Sequence, residues 1–185
     1  FVIELVRVEE ASSGLVDAIV RESTGMVTEY RSLIGRLART LDDLAVLADR
    51  VETLIEKAAR QDEEAYLHAA ALDLHRFYTG AEQAFEAIAR AVDGGVPQEA
   101  GWHRELLLRM ATEVPGVRPA VVSRGTEACL DAYRGFGHVV RNVYTINLDR
   151  RRVRDLGCGA RDCLERLRSD LARFMAFLDA LDPPP

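Results

Sequence analysis

What this 185-residue sequence lacks narrows it quickly. It holds three cysteines, six prolines and only 6% aromatic residues. No apolar run approaches the roughly 20 residues that a membrane helix needs. The first residues include Glu4, Arg7, Glu9 and Glu10, which the apolar segment of a signal peptide excludes. Cys129, Cys158 and Cys163 cannot all pair within one chain, and none has the close spacing of a zinc-ligand pair, so a reduced, cytoplasmic setting is expected. A basic excess is missing as well. With a formal net charge of -6, the chain does not coat nucleic acid or membrane through bulk electrostatics. What remains, at 48% hydrophobic and 29% charged residues, is one soluble domain or one domain with an appendage.

Helical periodicity fills most of the chain. Tyr30, Ile34, Leu37, Leu41, Leu44, Ala48, Val51, Ile55 and Ala58 recur in alternating steps of four and three, with Leu33, Leu47 and Leu54 widening the stripe beyond a coiled-coil seam. Asp62 is a candidate cap for a second long helix, whose stripe runs through Leu67, Ala71, Leu74, Tyr78, Ala81, Phe85, Ile88 and Val92 until Gly94, Gly95 and Pro97 stop it. The short connection makes this pair antiparallel. A shorter helix is expected from Trp102 to Val114, then another capped by Ser123 or Thr126 and carrying Leu130, Tyr133, Phe136, Val140 and Tyr144 on one side. A last segment begins near Asp149, is expected to break around Gly157 and Gly159, and resumes through Leu164, Leu167, Leu171, Phe174, Leu178 and Leu181. No alternating strand pattern competes after Met26, so the fold class is all-α. Residues 1–25 read as an uncertain N-terminal extension to a helical domain spanning 26–185.

Charge is unevenly spread. From Arg134 to Arg173 ten arginines face five carboxylates, about +5 in a chain of -6. A local field of this kind draws anions despite the acidic total, and Arg150 and Arg151 at its centre are candidate RNA contacts.

The most informative segment is YRGFGHVVRNVYTINLD, Tyr133 to Asp149. Arg134, His138, Arg141 and Thr145 fall at steps of four, three and four, which on a helix is one face. An imidazole moves protons near neutral pH, and guanidinium groups grip a phosphodiester and offset the charge that grows as it is cleaved. Asn142 borders this face and can orient a phosphate or the attacking ribose hydroxyl. Such a row suits RNA cleavage without a metal or cofactor. Gly135 and Gly137 each cost about 1 kcal/mol in a helix interior, so close packing or a bend is expected there. Other constellations are weaker. His68 and His75 near Glu82 lack the spacing of a di-iron helix pair, His103 beside Trp102 reads as a helix-start or interface residue, and Ser123 has no nucleophile elbow. Phe77, Tyr78 and Phe85 read as core aromatics.

The strings LDLHRFYTGAEQAFEAIA, WHRELLLRMATEVPGVRP and YRGFGHVVRNVYTINLD, in that order, resemble the HepT-like branch of the HEPN superfamily, over roughly Tyr30 to Leu181. The resemblance implies a helical bundle, often a homodimer, whose toxin members cut RNA without a metal and are neutralised by a minimal nucleotidyltransferase antitoxin. It implies His138 as the proton-transfer residue, Arg134 and Arg141 as catalytic phosphate contacts, Asn142 as their polar neighbour, and Tyr144 as the candidate tyrosine for modification by the partner. The sequence departs from the superfamily pattern, because only three residues separate Arg134 from His138. Relatives tend to carry arginine where Gly137 stands, which implies an attenuated toxin. The alternative is a noncatalytic helical module that binds a nucleotidyltransferase or a nucleotide.

Overall fold

Five helices account for the stripes: α1 (Val2–Gln61), α2 (Glu64–Val92), α3 (Trp102–Met110), α4 (Arg124–Asn142) and α5 (Arg150–Ala180). The computed structural model describes the backbone of residues 2–61, 63–142 and 148–181, and the side chains of 28–61, 63–137 and 148–181. Among these residues there is no strand, only an isolated bridge between Val114 and Arg118. The fold is all-α, as the periodicity predicts.

Residue pairs across the seams give the topology. Along α1 and α2, the Lys57 ammonium lies over the Tyr66 ring at 5.9 Å, Arg50 meets Asp73 at 3.1 Å, and Leu44 fills the space beside Gly80. One number falls as the other rises, so these helices are antiparallel. By the same criterion α5 is antiparallel to α1, since Ile55 and Val51 lie against Gly157 while Arg161 reaches back to Asp49 at 2.6 Å and Glu52 at 2.7 Å. Helix α4 is antiparallel to α2, through His75 against Gly137 and Phe77 against Tyr133, and to α5, through Thr126 with Asp170 and Tyr133 with Leu156. The result is an up-down-up-down four-helix bundle, with α3 lying in the long crossover between α2 and α4. Its core is the expected stripe set, with Leu33, Leu37, Leu44, Leu67, Leu74, Phe77, Phe85, Ile88, Leu167 and Phe174 fully buried.

Two sequence expectations need correction, and a third lies outside the described residues. Helix α5 does not break at Gly157 or Gly159. A Cβ at Gly157 would sit 2.7 Å from Ile55 Cγ1 and 3.3 Å from Val51 Cγ1, so this glycine lets two helices approach and the helix continues through it. The residue before α2 is Glu63, with no side-chain cap, while Asp62 lies outside the described residues. Helix α3 stops at Met110, because Pro115 and Gly116 (φ 75°) fold the chain into a turn in which the Val114 N–H donates to the Arg118 carbonyl at 2.9 Å. The caps at the other two starts are as expected: Ser123 Oγ accepts from the Thr126 N–H, and Asp149 accepts from the N–H groups of Arg151 and Arg152.

Polar groups fasten the crossover. The Arg118 side chain is fully buried and donates through Nε and Nη2 to the two Asp93 carboxylate oxygens at 2.6 and 2.7 Å, and through Nη1 and Nη2 to the carbonyls of Thr112, Pro119 and Arg109. A fork of this kind satisfies a buried charge on every side. The cysteines depart from the reduced state expected of them: a Cys129–Cys163 disulfide, Cα–Cα 6.0 Å, links α4 to α5, because two positions 34 apart meet across the helix seam, and Cys158 is free and exposed. No helix among the described residues is long and apolar enough to cross a membrane.

Candidate functional site

Helix α4 buries Thr126, Leu130, Tyr133 and Gly137, one stripe in steps of four, three and four. Positions 134 and 138 are each one residue past a member of this stripe, about 100° further round the helix. Arg134 there stands at the border between core and solvent. Arg134 shows the consequence: its side chain is 25% exposed, and its Nε donates to Asp131 Oδ1 at 2.7 Å. The pairing fixes the guanidinium at the rim and leaves its terminal nitrogens for a further acceptor.

The backbone helix runs unbroken through Asn142, so positions 134, 138, 141 and 142 keep the helical register that places the first three on one face. The side chains of His138, Arg141 and Asn142, and all of Tyr144 and Thr145, lie outside the described residues. Arg150 and Arg151 are exposed in the first turn of α5, whose N-terminus is capped by Asp149. A surface cavity of about 510 Å³ beside the α2–α3 turn, lined in part by Asp93, Pro97, Leu108 and Arg109, includes none of the candidate residues.

Gly137 has a structural reason to be glycine. It is buried, and a Cβ on it would lie 2.9 Å from His75 Nδ1 on α2, so an arginine at this position has to displace His75. Gly135, two residues earlier, is exposed and faces open space.

Helix α2, packed against α4, also carries polar residues at this seam. Tyr78 is buried one turn before Glu82, with Glu82, Arg134 and Asp131 within electrostatic reach. Burial first, then the negative charge of Glu82, push the Tyr78 hydroxyl well above its ordinary range, so it stays a neutral donor. Glu82, 8% exposed, also accepts from His103 Nδ1 on α3 at 2.6 Å, and the His103 ring stacks on Trp102 with centroids 3.8 Å apart. Sequence reasoning passed over the Glu82–His103 pair because 21 positions separate its members. The signal that was present is Glu82 itself, a carboxylate set between the stripe residues Ala81 and Phe85.

The far side of α4 is held by Asp170, 5% exposed, which accepts from the Ser123 backbone N–H at 2.8 Å, the Thr126 hydroxyl at 2.5 Å, and Arg173. Burial alone would raise this carboxyl. The donated hydrogen bonds outweigh it and hold the group below its usual value. Among the described residues no group of histidine, cysteine and carboxylate side chains is arranged to hold a metal ion.

A family model described as HepT-like protein matches residues 69–178, well over half of the chain, and covers α3, α4, and most of α2 and α5. No curated protein matches the chain, and no solved structure does.

Proposed function

Because this chain belongs to the HepT-like family, we propose that it is a metal-independent endoribonuclease toxin whose cognate antitoxin is a minimal nucleotidyltransferase. The observation that carries this is Arg134, fixed by Asp131 and part-exposed at the edge of the α2–α4 seam, with His138 one helical turn further along the same face. His138 takes the proton from the ribose 2′-hydroxyl or gives one to the leaving oxygen, while Arg134 and Arg141 neutralise the charge building on the phosphorane oxygens. Asn142, Thr145, Arg150 and Arg151 are the proposed RNA contacts, and Tyr144 the proposed target of modification by the partner. Two copies meeting along this face form a composite groove, since α4 supplies a single histidine to it.

Inducing the wild-type chain and His138→Ala in a bacterial host tests this. The wild type arrests growth and His138→Ala does not; equal growth of the two strains defeats the toxin. The noncatalytic alternative is favoured by one feature, the packing of Gly137 against His75, which leaves no room for an arginine there without rearrangement. Its signature is a stable complex with the nucleotidyltransferase and no RNA cleavage by the free protein.

A further inference from the structure

Beyond Tyr78, α2 carries Glu82, which meets a histidine of α3 that the ribonuclease chemistry above does not use. Glu82 is nearly buried, with its side chain 11% exposed, and it holds the His103 imidazole at 2.6 Å. An ionised carboxylate only accepts, so Nδ1 carries the hydrogen of this bond and Nε2 is the ring nitrogen turned from Glu82. The His103 side chain is 29% exposed, so the ring is clamped on one edge and open to solvent over part of its surface. Trp102 is half-buried and stacked on His103 with an interplanar angle of 27°, giving two flat rings held in one orientation.

Position along α2 decides what these rings can meet. His75 faces Gly137, the neighbour of His138, and Glu82 lies seven residues further along α2, about 10 Å away at 1.5 Å per residue. That is too far to act on the bond His138 addresses, which leaves a nucleotide beside that bond on the same strand as their target. Unpaired nucleotides are bound by flat side chains that stack on the base together with a cationic or donor group on the phosphate or sugar. We infer that Trp102 and His103, the latter held by Glu82, form a binding subsite for a nucleotide flanking the cleaved bond of a single-stranded RNA. The inference rests on the ribonuclease reading for its ligand, and on the α2–α3 geometry for its place.

Trp102 is the one tryptophan of the chain, so its emission reports on this subsite directly. The full chain is titrated with a short 2′-O-methyl oligoribonucleotide, which lacks the attacking hydroxyl and cannot be cut. Saturable quenching is expected with the wild type and with His138→Ala alike. His103→Ala weakens the affinity at least fivefold, and in cleavage assays it raises KM with little change in kcat. His103→Phe keeps a ring against Trp102 and guards against loss of the fold; it weakens binding likewise. Emission that stays constant at oligonucleotide concentrations above the KM for cleavage, or an affinity indifferent to both His103 variants, overturns the subsite while a His138-dependent nuclease survives. Saturable quenching sensitive to His103 in a protein that cuts no RNA overturns the nuclease and leaves the subsite standing as an RNA-binding site.

Discussion

Two helix seams in this bundle are built on the same device and put to different use. Between α1 and α5, Gly157 lets the helices close onto Ile55 and Val51, so the space saved by a missing side chain is filled with aliphatic groups. Between α2 and α4, Gly137 lets the helices close onto His75, and the seam goes on through Tyr78, Arg134 and Glu82. The first seam returns its close approach as packing. The second holds polar groups at fixed positions along a groove, which contributes less to stability and more to chemistry.

The comparison breaks first at Gly157. Gly157→Val drives a branched side chain into Ile55 and should destabilise the fold by about 1–3 kcal/mol, with RNA cleavage per folded molecule unchanged; thermal unfolding beside an activity assay checks both. Next comes Asp170, which ties the start of α4 to α5 from behind the polar seam. Its folded carboxyl sits below the ordinary value, so its contribution is fully present above the unfolded pKa of about 3.9 and is lost as pH falls through the lower folded value. Asp170→Asn should cost about 2 kcal/mol near neutral pH and flatten the acid limb of the stability curve in urea titrations. Gly137→Ala sharpens the contrast. Its gain in helix propensity, up to about 1 kcal/mol, offsets the contact with His75, so stability should change little while cleavage falls roughly tenfold. The smallest effect belongs to Gly135, which faces open space: Gly135→Ala should stabilise by about 0.5–1 kcal/mol and leave cleavage untouched.

The two seams were not equally legible in the sequence. Steps of three and four gave the stripes of α1 and α2 and the end of α2 at Gly94, because burial of one face is a local, periodic signal. The role of Gly157 was misread as a break, since a glycine that permits close approach and one that ends a helix look alike until the neighbouring helix is in place. For the groove, the row Arg134, His138, Arg141 was legible as helical spacing, and Arg134 at a rim followed from its place beside the buried stripe. Its partners were not. Tyr78 was assigned to the core, where it is buried, and the Glu82–His103 pair depends on how the crossover folds back. Pairings between distant positions carry no period, and an isolated charge inside an apolar stripe was the one local trace they left. The Asp93–Arg118 fork and the Cys129–Cys163 link went unread for the same reason.

Everything functional in this account depends on α4 presenting a proton-transfer group to a ribose-phosphate strand in that groove. The most direct measurement is the single-turnover cleavage rate of a labelled RNA by purified wild-type protein and by His138→Ala, each confirmed helical by circular dichroism. The account predicts cleavage by the wild type and a rate at least about 100-fold lower for the variant. Equal rates, or a wild type that leaves the RNA intact, would contradict it.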